Sequence, residues 1–166
     1  MDTELASFAV SYLQKKGASF VESRMESREE QGFMLKNSNP EIAGFDETTG
    51  IGIRFILNDN MGFATTNELS KTRVKNAMDR ALNLTKSSSK IGEKIDFSTS
   101  KSVKDKFKVK QKVNLLDLEP GDKLKVIKEL DKSVKEVDNR FFSISDTLLK
   151  KHYTNSEGVS VYSEIP

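Results

Sequence analysis

The chain reads as an α+β protein, an antiparallel or mixed β-sheet packed against amphipathic helices. Three observations in its 166 residues lead there. Strand-like alternation and helix-like periodicity come in groups rather than in strict alternation. Hairpin turns outnumber possible crossover units, and no segment repeats with the period of a solenoid. A doubly wound parallel sheet is disfavoured on the same grounds.

The first element is a helix. Leu5, Phe8, Ala9, Tyr12 and Leu13 recur on one face, with Asp2 or Thr3 as N-cap and Gly17 as the stop. SFVESRMESREEQGFMLK then alternates as a long strand does. Phe20, Glu22, Arg24, Glu26 and Arg28 share a solvated face whose charges compensate one another, while Val21, Ser23, Met25 and Ser27 share the other. Asn37-Ser38-Asn39-Pro40 is a turn, and EIAGFDETTG a short strand leading through Gly44 and Gly50 into GIGIRFILNDNMGFATTNELS. That stretch predicts a hairpin with Ile51, Ile53, Phe55 and Leu57 on one face and Gly50, Gly52 and Arg54 off it. Its glycines, Gly62 included, imply a bulge, a turn or a backbone passing close by.

Ser70 is placed to cap a second helix on Val74, Ala77, Met78, Ala81 and Leu82, which ends in KSSSKIGEK. Residues 86–106 are polar and poorly periodic, the pattern of a flexible linker or loop. KFKVKQKV predicts an edge strand, with Phe107, Val109 and Val113 on one face and Lys106, Lys108, Lys110 and Lys112 on the other. After Pro120 and Gly121, a third helix buries Leu124, Ile127, Leu130, Val134 and Val137, its opposite side carrying lysines and acids. The last segment gives a strand through Phe142, Ile144 and Leu148, a turn from Asn155 to Gly158, and a strand through Val159 and Val161.

Composition narrows the function classes. Hydrophobic residues at 36% and charged ones at 31% suit a folded, globular chain. Lys and Arg total 27 against 25 acids, so the net charge of +2 exerts no strong pull on nucleic acid or an anionic membrane. With no cysteine, disulfides, thiol nucleophiles and cysteine-based metal sites are all excluded. MDTELASFAVSYLQKKG carries acids where a signal peptide carries positive charge, and no apolar run approaches the ~18 residues of a membrane span. The expected location is the cytoplasm, away from any membrane.

The residues that could carry chemistry are few. His152 has neither a second histidine nor a cysteine to complete a zinc shell and reads as a structural or solvent-exposed residue. Asp46-Glu47 is a lone acidic pair outside any calcium-type loop. No serine has a nucleophile elbow, and the two glycines of GIGIR lie inside a strand rather than opening a helix, which argues against a phosphate cradle. The lysines between 101 and 112 are the best match to a nucleic-acid surface. Lysines on an edge strand also block aggregation, though, and no aromatic residue shares their face to stack a base. No catalytic, cofactor-binding or metal-binding residue is assigned.

Three stretches in order, VESRMESREEQGFMLKN, TGIGIRFILNDNMGFATTNELS and HYTNSEG, resemble the N-terminal domain of the TldD/PmbA metallopeptidase family, whose older label is modulator of DNA gyrase. The middle stretch is the most specific, with its glycine-flanked strand bearing an arginine, its turn, Gly-Phe-Ala and a helix-starting Leu-Ser. The resemblance implies that residues 1–166 are the N-terminal, non-catalytic domain of a longer intracellular peptidase acting on unfolded peptides. It also implies a partner, either a related subunit or a second copy of the chain, enclosing a cavity. Zinc is expected in the missing C-terminal domain if the parent is the active subunit, because that domain holds the family's HExxxH helix. The motif does not occur in this sequence. The alternative is a regulatory or nucleic-acid-associated binding module of the gyrase-modulator kind.

Overall fold

The computed structural model describes residues 3–88, 95, 101–114 and 117–166. Among them the elements run α1 (Thr3–Lys15), β1 (Phe20–Lys36), β2 (Asn39–Leu57), β3 (Asn60–Thr66), α2 (Lys71–Ser88), β4 (Lys104–Lys108), α3 (Pro120–Ser133), β5 (Phe141–Asn155) and β6 (Ser160–Ile165). The strand order is β3-β2-β1-β5-β6-β4. β2 and β3 pair antiparallel and β4 and β6 parallel, so the sheet is mixed and the α+β reading holds.

The chain divides into two compact units, one of residues 1–27, 49–108 and 150–164, the other of residues 28–48, 109–149 and 165–166. The long strands β1, β2 and β5 contribute to both.

In the first unit local chemistry sets each boundary. α1 ends in a Schellman arrangement: the Gly17 N–H donates to Gln14 and the Ala18 N–H to Leu13, at 3.0 and 3.1 Å, with Gly17 at φ +94°. The Ser70 hydroxyl accepts from the Arg73 N–H at 3.2 Å and caps α2. β2 and β3 meet in a two-residue turn whose Asn58 and Asp59 both have positive φ, the geometry that matches the twist of a hairpin. The core lies between one sheet face and the two helices. Ile51, Ile53, Phe55 and Leu57 are all buried on the predicted face, against Leu5, Ala9 and Leu13 of α1 and Val74, Met78 and Leu82 of α2. Each such side chain contributes roughly 1.5–3 kcal/mol by leaving water.

Two glycines of this hairpin accommodate rings rather than a bulge, while Gly50 faces the Thr66 carbonyl of β3. Gly62 faces Phe55 across the ladder, and the Phe55 ring together with the Thr85 hydroxyl occupies the space a Cβ would need. Gly52 lies below the Phe63 ring on the other face, with room for ordinary contact at 3.6 Å.

Several predicted boundaries move. EIAGFDETTG is not a separate short strand but the first part of the 19-residue β2. The edge strand in KFKVKQKV is confined to Lys104–Lys108; all five residues are exposed, and Val109 and Val113 lie beyond it without a buried face. It does stand last in the sheet, as an edge strand must. Of residues 86–106, the first three belong to α2 and the last three to β4, while 89–94 and 96–100 lie outside the described residues, as does Asp2, one of the two N-cap candidates.

The second unit has a smaller core of Phe33 and Leu35 from β1 and Ile127 from α3, with Leu124, Phe142 and Ile144 packed on it. Asn37 and Ser38, both at positive φ, turn β1 into β2. α3 starts at Pro120 and stops at Ser133, so Val137 is outside the helix, and Leu130 and Val137 are half exposed rather than buried. The buried stripe of α3 is instead Lys123, Ile127 and Asp131.

Candidate functional site

The hairpin signature ends in TTNELS, and the structure shows what that ending builds. The Thr66 hydroxyl accepts from the Glu68 N–H at 3.0 Å, which turns the chain out of β3, and Ser70 then starts α2. Packing Val74, Met78 and Leu82 against the sheet leaves Arg73, Asn76, Arg80 and Asn83 on the opposite, solvated side of the helix. With Thr66, Asn67, Glu68 and Asp79 they line an open cleft of about 600 Å³ that holds no apolar side chain.

Two parts of this cleft are internally paired. Arg73 Nε meets Glu68 Oε2 at 2.8 Å. Asp79 accepts from Lys75 Nζ at 2.6 Å and from the Tyr12 hydroxyl at 2.5 Å, tying α1 to α2. The Lys75 hydrogen bond, followed by that of Tyr12, holds the Asp79 carboxyl below the usual carboxylate range, while acceptance by Asp79 pushes Tyr12 up. The side chains of Asn67, Asn76, Asn83 and Arg80 have no hydrogen bond or ion pair within the chain among the described residues. The cleft therefore presents free carboxamides and one uncompensated guanidinium.

The residues singled out from sequence go elsewhere. His152 is buried, with Nε2 3.2 Å from the Ser160 hydroxyl and Nδ1 without a partner; burial lowers its pKa. The burial excludes the solvent-exposed alternative. The charged face of β1 is self-compensating as predicted: Glu22 takes Arg54 at 2.7 Å and the Tyr153 hydroxyl at 2.9 Å, and Glu26 takes Arg24 at 2.9 Å and Lys151 at 3.3 Å. Arg28 pairs with Glu30 at 2.8 Å. Asp46 and Glu47 are consecutive exposed residues of β2 and so point to opposite faces. In the lysine segment, Lys106 lies over the Tyr162 ring at 5.5 Å and Lys108 pairs with Glu164 at 2.8 Å, which diverts both from a phosphate track. Among the described residues no three His, Cys, Asp or Glu side chains converge as a metal shell, so the residues present do not fit a zinc ion.

The α2 cleft was within reach of the sequence. The spacing of Arg73, Asn76, Arg80 and Asn83 marks one helical stripe, but solvated stripes are common and only the TTNELS turn makes this one concave. The second unit also holds a polar cluster that periodicity conceals. Lys123 Nζ is 2.9 Å from Asp146 Oδ2 with both side chains buried, and it also donates to Gln31. Asp131 takes Arg140 Nε and the Ser38 hydroxyl, each at 2.6 Å.

The HYTNSEG stretch has a turn-building role. Asn155 Oδ1 accepts from the N–H groups of Glu157 and Val159, each at 3.0 Å, and Gly158 takes φ +89°. The neighbouring Ser156 bonds Val21 of β1 in both directions, through its N–H and its hydroxyl.

Comparison with known proteins agrees with these features. Residues 21–85 match the model of the PmbA/TldA metallopeptidase domain 1, and residues 113–166 that of the PmbA/TldA metallopeptidase central domain. The chain is 24% identical over 149 residues to a metalloprotease of Methanocaldococcus jannaschii, covering 88% of this chain and 33% of that protein. Its fold is similar to that of a candidate modulator of DNA gyrase from Bacteroides thetaiotaomicron, with a TM-score of 0.79 at 17% identity, over 98% of this chain and 38% of the other. It is also similar to TldE from Thermococcus kodakarensis, with a TM-score of 0.68 at 19% identity, over 97% of this chain and 36% of the other. The chain thus spans about a third of the length of its curated relative. The two family domains together account for more than half of its residues, and the chain belongs to the PmbA/TldD metallopeptidase family.

Proposed function

We propose that the chain is the N-terminal, non-catalytic part of a TldD/PmbA-type zinc peptidase or of its metal-free partner subunit. In this reading it takes part in dimer assembly and in peptide access during the cytoplasmic breakdown of unfolded peptides. The observation that carries the reading is the end of the sheet at β3. Among the described residues this strand pairs with β2 alone, and it ends beside the polar α2 cleft. An extended peptide can hydrogen-bond to an open strand edge whatever its side chains, which suits a peptidase of low sequence specificity.

In this reading zinc would be held outside residues 1–166, and only if the parent is the active subunit rather than its metal-free partner. No described helix is long and apolar enough to cross a membrane. The nucleic-acid alternative is not favoured, since two lysines of its candidate face, Lys106 and Lys108, are engaged by Tyr162 and Glu164.

Fluorescence anisotropy with unstructured peptides tests the proposal. Binding is expected to be similar for scrambled sequences, and no zinc-dependent hydrolysis should accompany it. Turnover of the peptides that survives purification controls would overturn the non-catalytic assignment. Binding to random duplex DNA should be absent even at low salt, and a steep salt dependence would favour the alternative.

A further inference from the structure

The α2 cleft has a donor and acceptor set that matches one kind of ligand. Its carboxamides each offer two N–H donors and a carbonyl acceptor, and Arg80 adds a guanidinium with five donors. A peptide main chain presents N–H and C=O groups that do not change with sequence, and a carboxamide can bond both. Asn76 and Asn83 stand two helical turns apart, about 10.5 Å along α2. An extended peptide covers that distance in about three residues.

Arg80 lies between them on the same stripe. The acids of the cleft do not neutralise it, since Glu68 is engaged by Arg73 and Asp79 by Lys75 and Tyr12. A carboxylate fits a free guanidinium in the bidentate manner. With Glu68 offset by Arg73 and Asp79 by Lys75, the cleft offers the single positive charge of Arg80, which suits a singly charged group rather than a polyanion such as a nucleic-acid backbone.

We propose that this cleft binds an extended peptide segment bearing a carboxylate, with the main chain on Asn76 and Asn83 and the carboxylate on Arg80. The proposal rests on the peptide-handling reading above and gives it a location. The carboxylate is either the peptide C-terminus or an acidic side chain.

The test is a nuclear magnetic resonance titration of the full chain, labelled with nitrogen-15, using an unstructured Ala/Ser peptide in three forms. One has a free C-terminus, one is C-terminally amidated, and one is amidated with a single internal Asp. The side-chain amide signals of Asn76 and Asn83 and the Arg80 Nε–H should shift with the first form, and the third form shows whether an internal carboxylate serves as well. The amidated form without Asp should bind more weakly. The N76A/N83A pair and R80A should each weaken binding about tenfold or more. All three side chains are exposed, so unchanged backbone spectra serve as the folding control.

Equal binding of all three forms, or full affinity in R80A, would overturn the role of Arg80 and with it the proposal. Shifts confined to other residues, with N76A/N83A binding normally, would overturn the cleft while leaving peptide handling in place. No shift anywhere would overturn both.

Discussion

Gly62 and Gly52 face opposite sides of one hairpin, and the two sides tolerate a methyl group differently. A Cβ at Gly62 collides with the Phe55 ring and the Thr85 hydroxyl in the core, whereas at Gly52 it touches the Phe63 ring at 3.6 Å, an ordinary contact. Gly62→Ala should therefore lower stability by about 1–3 kcal/mol through overpacking. Gly52→Ala should stay within about 1 kcal/mol of the parent. Urea unfolding of the two variants side by side measures the difference, and equal midpoints would show that the Phe55 ring moves aside freely.

His152 gives a second residue-scale expectation. Burial holds its folded pKa below the ordinary 6.5, so the unfolded chain binds its proton first as the pH falls. Stability should then rise with pH through the window just below 6.5 and level off above it. His152→Gln keeps a partner for the Ser160 hydroxyl but has no proton to bind in that range. It should flatten the slope, measurable as unfolding midpoints taken from pH 5 to 8.

At the scale of elements, α3 is the least expected feature. Its buried stripe puts two charged residues, Lys123 and Asp131, on either side of Ile127, and each has an opposite charge waiting on β5 or just before it. A buried pair contributes little net stability, but removing one partner strands the other. Lys123→Met alone should cost about 3–5 kcal/mol because Asp146 loses its counter-charge. The double variant K123M/D146L should recover most of that loss. A double-mutant cycle by thermal unfolding checks this, and additive losses would mean that the two groups are not coupled.

For the whole molecule, the order of domains along the chain and the arrangement in space do not coincide. The family's first domain ends at residue 85 and its central domain begins at 113, yet the first compact unit includes residues 150–164. Within that unit Ser156 bonds Val21, and Tyr153 bonds Glu22. A fragment of residues 1–112 should therefore lack a cooperative thermal transition by circular dichroism, despite containing both helices and the hairpin. A sharp transition in that fragment would show that β5 and β6 are dispensable for the core.

The sequence by itself determined most of what depends on neighbours along the chain. Alternation in GIGIRFIL fixed which face is buried, Gly17 and Ser70 fixed two helix ends, and the three quoted stretches sufficed for the family. Local rules govern these features, and their signals are local.

The tertiary structure alone decided the rest. β2 continues through EIAGFDETTG, and α3 turns Lys123 rather than Leu130 inward. Gly62 exists to admit Phe55, and the polar stripe of α2 becomes a cleft only where the chain turns at Thr66. In each case the deciding partner is distant in sequence. A buried charge is stable only beside its counter-charge, and a strand only beside its neighbour, so these outcomes could not be read before the partners had been brought together.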